Sequence, residues 1–236
     1  MLSDDQIERY SRQIILRQVG GKGQEKLLRS RIFVDMAGAM QTSTLHYLAA
    51  VGVGALGVFS SPQNSHLLSL ASSQERNPFH VLTRLNPDCS ITLHSREESK
   101  TAVHRIVQNY DVILSDSDLL HDACYREKKP FLYATVTAAE ACLMVCQGYK
   151  PNYPCLRCIQ SLFSLLPANS FLSPFTETSA LFMGAHLATE AITHILDFAS
   201  SSGTQLLRFR FPDFHCSAEI VHKVVTCPLC RNSSSF

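Results

Sequence analysis

Four cysteines in two Cys-x-x-Cys pairs are the residues whose type and spacing most directly predict chemistry in this chain. The pairs are Cys155-Leu-Arg-Cys158 and Cys227-Pro-Leu-Cys230. Each pair can place two thiolates on one side of a tetrahedral ion, at a Zn–S distance of about 2.3 Å. Because four protein sulfurs leave no coordination position for water, they predict a structural zinc site that ties the C-terminal segment to the loop after the sheet. Coincidental thiols or a redox pair are the alternatives.

The other cysteines have no histidine or carboxylate at ligand spacing, and we expect them in the core. They are Cys89, Cys124, Cys142, Cys146 and Cys216. Nine cysteines in all, an odd number and mostly scattered, do not resemble a disulfide framework. A reducing, cytoplasmic location is therefore predicted.

A second stretch that could form a functional site is Arg31–Gln41, which is predicted to be an apolar strand, a tight turn and the start of a helix. In dinucleotide-binding folds such a turn holds a phosphate on backbone amides and needs several glycines. Here only Gly38 remains, while Asp35 adds a negative charge and Met36 and Met40 add bulk. The turn is therefore predicted to be an altered or a lost phosphate site.

The elements that must position these residues follow a strand-helix rhythm, which is typical of a doubly wound, mainly parallel sheet. Two antiparallel strands close the chain, and Ile159–Thr178 is predicted to be a long loop. The predicted strands are Arg31–Asp35, Ala55–Phe59, Ser90–His94, Asp111–Ser115, Phe131–Val136, Ala141–Tyr149, Gln205–Arg210 and Ala218–Val225. The predicted helices are Asp4–Arg17, Gln24–Arg29, Thr42–Val51, Glu75–Leu85, Thr101–Gln108, Leu119–Lys128 and Ser179–Ala199.

Length and charge favour one globular domain over residues 1–236 that does not bind nucleic acid or membranes. We divide it into an N-terminal arm (1–30), a Rossmann-like half (31–136) and a C-terminal half (137–236) with the crossover loop and the zinc site. The chain is 45% hydrophobic and has a formal net charge of +1, so it lacks the basic surface that nucleic acid requires. Its longest apolar run, Leu45–Phe59, is shorter than the roughly 20 residues of a membrane span, and no signal peptide is predicted.

Several short motifs follow one another along nearly the whole chain. They are Arg9-Tyr-Ser-Arg-Gln-Ile-Ile-Leu-Arg17, Gly23-Gln-Glu25, Tyr47-Leu-Ala-Ala-Val-Gly-Val-Gly54, Thr83-Arg-Leu-Asn-Pro87, Pro154-Cys-Leu-Arg-Cys158 and the final Cys-x-x-Cys. In this order they resemble the ThiF/MoeB/HesA family, whose members adenylate the C-terminal glycine of small ubiquitin-like sulfur carriers. The resemblance implies a Rossmann-like fold with a four-cysteine zinc knuckle, and a homodimer joined through apolar segments such as Ile14–Leu16 and Leu162–Leu166.

The nucleotide-binding motifs of that family are mostly missing. Its phosphate turn reads roughly Gly-x-Gly-Gly-x-Gly, where this chain has Asp35-Met-Ala-Gly-Ala-Met40. The acidic residue that holds the ribose falls at Ser60, and no match to the phosphate-binding lysine exists between His66 and Arg84. No cysteine for thioester transfer lies between Cys158 and Cys216. We therefore expect weak or absent binding of ATP and magnesium.

Two residues keep the family pattern. Asp118 matches the aspartate that holds magnesium, and Arg12 matches the arginine that reaches the nucleotide of the partner subunit. The alternatives are that Asp118 caps a helix starting at Leu119 and that Arg12 lies on a solvated helix face.

The leading hypothesis is a degenerate adenylyltransferase that binds a ubiquitin-like or peptide C-terminus without efficient ATP use. One alternative is an active adenylyltransferase that works through Asp118 and Arg12, with Arg76 or Arg84 as substitutes for the missing groups. The other is an inactive subunit of a heterodimeric activating enzyme.

Overall fold

Strands and helices alternate through the first half of the chain, and antiparallel strands follow. The computed structural model describes residues 1–36, 38–60, 79–96, 99–137, 139–163, 175–198, 201–211 and 213–231. The strands are β1 (Arg31–Asp35), β2 (Ala55–Phe59), β3 (Ser90–His94), β4 (Val112–Ser115), β5 (Phe131–Val136), β6 (Glu140–Cys146), β7 (Gln205–Arg210) and β8 (His215–Ile220). The helices are α1 (Asp4–Arg9), α2 (Ser11–Ile14), α3 (Gly20–Arg29), α4 (Gly38–Val51), α5 (His80–Leu85), α6 (Lys100–Asn109), α7 (Asp118–Glu127), α8 (Leu156–Phe163) and α9 (Phe175–Ile195), with a 3-10 turn at Ser201–Thr204.

The strands form one sheet in the order β3-β2-β1-β4-β5-β6-β7-β8. Neighbours from β3 to β5 are parallel, whereas the pairs β5–β6, β6–β7 and β7–β8 are antiparallel. This arrangement confirms the predicted fold class. The strand order reverses between β1 and β4, and such a switch point opens a crevice at the carboxyl ends of the strands, where ligands bind in open α/β sheets.

Strand β1 is the centre of the sheet and is buried on both faces. Ile32, Phe33 and Val34 are each fully inaccessible to solvent. Ile32 and Val34 pack in the cluster that includes residues of α4 and α9, whereas Phe33 packs on the opposite face with residues of α6 and α7. The unbroken apolar run of β1 is therefore explained by helices covering both sides of a parallel sheet.

The N-terminal arm differs from the single helix predicted over Asp4–Arg17. The structure has two short helices, of which α1 begins at a capping box between Ser3 and Gln6. The glycines that were expected to break the arm lie inside α3, where only Gly20 has a left-handed φ of 57°. Gly20 changes the chain direction, and the following residues then have ordinary helical geometry.

The second half corrects two further predictions. Helix α8 extends to Phe163 and α9 begins at Phe175, so the predicted loop Ile159–Thr178 is helical at both of its ends, and Cys158 lies within α8. Strand β8 spans His215–Ile220 and not the predicted Ala218–Val225, because His215 pairs with Arg210 across a short hairpin and the pairing ends at Ile220. The start of the predicted helix Glu75–Leu85 and residues 164–174 lie outside the described residues.

Helix α9 crosses α4 so closely that position 184 has no room for a side chain. A Cβ atom at Gly184 would lie 1.9 Å from Ser43 Oγ and 2.4 Å from the Met40 carbonyl oxygen. The hydroxyl of Thr44 donates a hydrogen bond of 3.1 Å to the Gly184 carbonyl across the same contact. The helix that follows the phosphate-type turn is therefore held against the longest helix of the described chain. None of the described helices is long and apolar enough to cross a membrane.

Replacing Gly184 with alanine should separate these two helices. We expect Gly184→Ala to lower the free energy of unfolding by roughly 1–3 kcal/mol, because overpacking a tight contact displaces both backbones. Urea unfolding measures the effect, and the exposed Thr189→Ala on the same helix is the control. Equal stability of the two variants would contradict the close crossing.

Candidate functional site

The four cysteines of the two pairs come together in one buried cluster. Their sulfur atoms all lie within 4.8 Å of one another. The Sγ–Sγ distances are 3.8 Å for Cys155–Cys158, 3.5 Å for Cys155–Cys227 and 3.4 Å for Cys158–Cys230. All four side chains are at most 2% exposed. The structure thus joins the loop after β6 to the C-terminal segment, as the spacing predicted.

These distances fit a tetrahedral metal better than a disulfide. Four sulfurs at about 2.3 Å from a central zinc lie about 3.8 Å from one another, whereas a disulfide requires about 2.05 Å. All four cysteines are free in the structure. The backbone N–H of Val224 lies 3.4 Å from Cys158 Sγ and donates to it, which stabilises a thiolate ligand. The cluster can hold a structural metal ion, and we propose that the ion is zinc.

The first cysteine pair is fixed to helix α7 through the arginine between its two ligands. Arg157 Nη1 donates to Asp118 Oδ2 at 2.8 Å, and Arg157 Nη2 donates to Asp122 Oδ2 at 3.0 Å. The buried His121 accepts the backbone N–H of Leu156 at Nε2, at 3.0 Å. Burial tends to raise the pKa of Asp122, but hydrogen bonds from His121 and Arg157 outweigh it and lower that pKa. Hydrogen bonds thus connect the four-cysteine cluster to α7.

The remaining cysteines follow the predicted pattern with one exception. Cys89, Cys124, Cys142 and Cys146 are buried, as expected for core residues. Burial raises the pKa of Cys89 to about 12, so this thiol is uncharged at neutral pH. Cys216 is exposed on β8, which corrects its assignment to the core. It lies on the last strand of the sheet, where one face is open to solvent.

A second group of polar residues lies at the carboxyl edge of the sheet, beside the switch point. Asp35 ends β1 and is 5% exposed. Its carboxylate accepts a hydrogen bond of 3.3 Å from Ser115 Oγ at the end of β4 and forms an ion pair with Arg96, which follows β3. The Arg96 guanidinium also lies over the Phe59 ring, 4.6 Å from its centroid. The Arg96 side chain thus crosses the ends of β2 and β1.

The charge of this edge is only partly balanced. Burial raises the pKa of Asp35 above its usual value, and the nearby negative charge of Asp116 acts in the same direction, whereas Arg96 lowers it. One guanidinium therefore faces two carboxyl groups. In its ionised form Asp35 repels a further anion at this position.

The predicted phosphate turn is present but crowded. Gly38 starts α4 with a left-handed φ of 60°, the conformation for which glycine is favoured. Met36 and Met40 are 6% and 7% exposed and belong to the core cluster beneath the turn. The methionine side chains thus pack into the core, and Gly38 keeps the turn geometry. Ala37 lies outside the described residues.

Asp118 is not the helix cap that was considered as an alternative. It is the first residue of α7, and Ser117 is in the N-cap position. Both carboxylate oxygens accept hydrogen bonds, from Arg157 at 2.8 Å and from Gln160 Nε2 at 2.6 Å. Asp118 is therefore held by α8. Its role as a magnesium ligand remains a proposal.

Other predicted residues do not meet at this edge in the described chain. Arg12 is exposed on α2, so its reach toward a partner subunit remains a prediction. Ile15 is 79% and Leu16 50% exposed, which leaves an apolar surface available for the predicted homodimer. Arg84 lies on α5, while Arg76 and most of Leu162–Leu166 are outside the described residues.

Arg96 is the residue that sequence reasoning missed. It has no counterpart in the quoted motifs, and it follows a short strand without a turn signature. The available signal was the strand direction: residues that follow parallel strands lie at the same edge of the sheet. Arg96 follows β3, two strands from β1, and its long side chain crosses the end of β2 to reach Asp35.

Removing Arg96 should expose the unfavourable burial of Asp35. We expect Arg96→Met to lower the free energy of unfolding by about 1–3 kcal/mol at pH 7. Because the folded-state pKa of Asp35 is raised, the native state retains the proton to higher pH than the unfolded state, and stability falls as pH rises through that window. Arg96→Met should therefore lower the free energy of unfolding less at about pH 5 than at pH 7. Urea unfolding at both pH values measures it.

The double variant Asp35→Asn/Arg96→Met provides the comparison. It should recover most of the stability, since no unpaired carboxylate remains. Arg17→Met, an exposed arginine on the N-terminal arm, is the control. A double variant as unstable as Arg96→Met alone would contradict a specific ion pair.

Metal removal should weaken the fold. We expect about one equivalent of zinc per purified chain, and a thermal midpoint that falls by roughly 10 °C or more after chelation, because a closed four-sulfur site contributes folding free energy. Cys230→Ser should lower the metal content, whereas the exposed Cys216→Ser should not. Metal content far below stoichiometric in protein purified without chelator would refute the site.

A family match and similar proteins of known name relate this chain to one family. Residues 79–229 match the ThiF family. SAMP-activating enzyme E1 of Haloferax volcanii is 30% identical over 252 residues, covering 97% of this chain and 90% of that protein. Adenylyltransferase and sulfurtransferase MOCS3 of Drosophila ananassae is 36% identical over 176 residues, which are 67% of this chain and 38% of that longer protein.

Solved structures show the same fold. The crystal structure of E. coli MccB with ATP has a TM-score of 0.74 at 17% identity, covering 94% of this chain and 74% of that one. PaaA has a TM-score of 0.73 at 14% identity, covering 93% of this chain and 84% of that chain. The strand order, the four-cysteine cluster and these similarities together show that the chain belongs to the ThiF family.

Proposed function

We propose that this ThiF-family chain recognises the C-terminal segment of a ubiquitin-like or peptide partner without efficient use of ATP. The observation that carries the proposal is the ion pair between Arg96 and Asp35 at the carboxyl ends of β1 and β2. In an open α/β sheet this edge, beside the switch point, is where a nucleotide would lie. Here a side chain of the protein itself crosses it.

Nucleotide binding would have to displace this pair. The phosphates would meet the Asp35 carboxylate, which is buried, and Asp116, which follows β4. Two like charges 4 Å apart repel by about 4 kcal/mol at an effective dielectric constant of 20. Arg96 is about half exposed, so solvent reduces the strength of its pairing. The repulsion from two carboxylates nevertheless opposes the binding of a triphosphate. The chain also lacks all but one of the family's phosphate-turn glycines, as well as the ribose carboxylate and the phosphate-binding lysine.

Magnesium recruitment is opposed in a similar way. The family aspartate corresponds to Asp118, whose two oxygens are already bonded to Arg157 and Gln160. A metal ion would have to replace a bidentate network that also holds the first cysteine pair. We therefore infer that Asp118 acts in this chain as a structural link between α7 and the cysteine cluster.

The partner class follows from the relatives. The Haloferax volcanii relative is named for activation of SAMP, and one MccB structure contains MccA. The antiparallel extension of the sheet and the cysteine cluster are retained in this chain, so its scaffold is intact where the nucleotide edge is altered. This asymmetric loss supports recognition without efficient adenylation.

An active ATP-dependent adenylyltransferase is the second candidate. The observation that favours it is the 30% identity to the SAMP-activating enzyme over 97% of this chain. Asp118 is 45% exposed, so release from Arg157 would free a carboxylate for magnesium. A third possibility, an inactive subunit paired with an active paralogue, would share the altered edge and differ in its partner.

Nucleotide binding separates these candidates. Isothermal titration of the purified chain with Mg-ATP at pH 7 should give no binding in the micromolar range, because the edge is negatively charged and crossed by Arg96. The Haloferax volcanii enzyme under its own conditions is the positive control. Micromolar affinity, or ATP–pyrophosphate exchange that depends on a ubiquitin-like protein, would overturn the proposal.

If exchange were found, Asp118→Ala would identify its origin. The active candidate requires a large loss of exchange in this variant. Co-purification with a second ThiF-family subunit would instead support the heterodimeric arrangement.

A further inference from the structure

A groove between α6 and α7 lies on the face of the sheet opposite α4 and α9. One cavity of about 390 Å³ is lined by Lys100, Thr101, His104, Arg105, Gln108 and Arg126. A smaller cavity of about 100 Å³ shares part of this lining and reaches Val103, Leu119, Asp122 and Ala123. The two cavities therefore form one continuous depression with a polar rim and an apolar floor.

Helical spacing explains why these side chains line the same groove. Lys100 and His104 are four residues apart on α6, as are Thr101 and Arg105, and each pair lies on one side of the helix. On α7, Leu119, Ala123 and Arg126 are similarly spaced. Val103 and Ala123 are 5% and 6% exposed and pack between the helices, so the longer side chains stand above them at the rim.

The rim carries positive charge that the described residues do not neutralise. In the described part of the chain, no carboxylate pairs with Lys100, Arg105 or Arg126. Two carboxylates lie at the groove: Asp122 is ion-paired with Arg157, and Glu127 contacts His104 and Gln108 of the rim. The three cations outnumber these two carboxylates. The whole chain has a net charge of only +1, so this positive charge is a local feature.

We propose that the groove binds an acidic segment of a protein partner. Three cations around a depression favour several carboxylates spaced along a peptide, and Leu119, which is 40% exposed, offers contact to one apolar side chain. A nucleic acid would require a longer basic surface than one groove of about 15 Å, the length of a ten-residue helix.

The groove goes beyond the proposed function and does not depend on it. It needs no nucleotide and uses none of the residues at the Asp35 edge. Because α6 follows β3 and α7 follows β4, both helices start at the carboxyl edge of the sheet. A partner anchored by an acidic segment here would therefore lie beside the carboxyl edge of the sheet.

Fluorescence anisotropy with a labelled peptide tests the groove. The probe is a peptide of about eight Glu and Asp residues with one central Leu, since about five extended residues span the groove. We expect micromolar affinity that weakens at least about fivefold between 50 and 300 mM salt. The triple variant Lys100→Gln/Arg105→Gln/Arg126→Gln should weaken binding by at least about tenfold.

A charge-matched variant provides the control. Arg17→Gln/Lys22→Gln/Arg29→Gln removes the same number of positive charges from the N-terminal arm and should change affinity by less than about twofold. Thermal unfolding checks that both variants fold. Equal losses in the two variants, no binding by the wild type below about 100 µM, or equal affinity for an oligouridine of similar charge would overturn the proposal.

Discussion

Burial of β1 on both faces is the constraint on which the rest of the structure depends. A strand with three consecutive fully buried residues needs helices on both sides, and right-handed parallel crossovers supply them. The first polar side chain that can follow such a strand lies at the carboxyl edge of the sheet. In this chain that side chain is Asp35, which is too poorly hydrated to remain without a partner. Ser115, at the end of the neighbouring strand β4, and Arg96, which follows β3 and reaches across the end of β2, provide the compensation.

The cysteine cluster solves a different problem in the same scaffold. The C-terminal segment after β8 contains few large apolar residues, and four thiolates around a metal would hold it without a core of its own. Arg157 extends this anchor to α7 through two carboxylates. Asp118 is thereby connected to the cluster. A residue that the family pattern assigns to magnesium is, in this structure, part of the contact between α7 and α8.

Much of the fold could be predicted because its signals are local. Five strands, β1, β2, β3, β5 and β7, have the predicted bounds, since each is a short, largely apolar or β-branched run between turn residues. The helix over Leu156–Phe163 could not be predicted in the same way, because Cys158 was assigned to a loop knuckle and the prolines on both sides suggested irregular structure. The start of α3 was also predicted too late, at Gln24, because its glycines suggested a break in the helix. Among these glycines only Gly20 has the left-handed conformation that glycine permits.

The sequence by itself determined the family, the strand-helix order and the two cysteine pairs of the cluster, because each depends on residues close together in the chain. It also showed that the turn at Asp35–Met40 contains a single glycine, Gly38. Only the tertiary structure decided which side chains meet beside that turn. Arg96 and Asp35 are separated by some sixty residues, and Asp118 and Arg157 by about forty, so their pairing depends on the order of strands and on the path of α8. Electrostatic partners at a sheet edge are selected by proximity in space, which local sequence patterns do not encode.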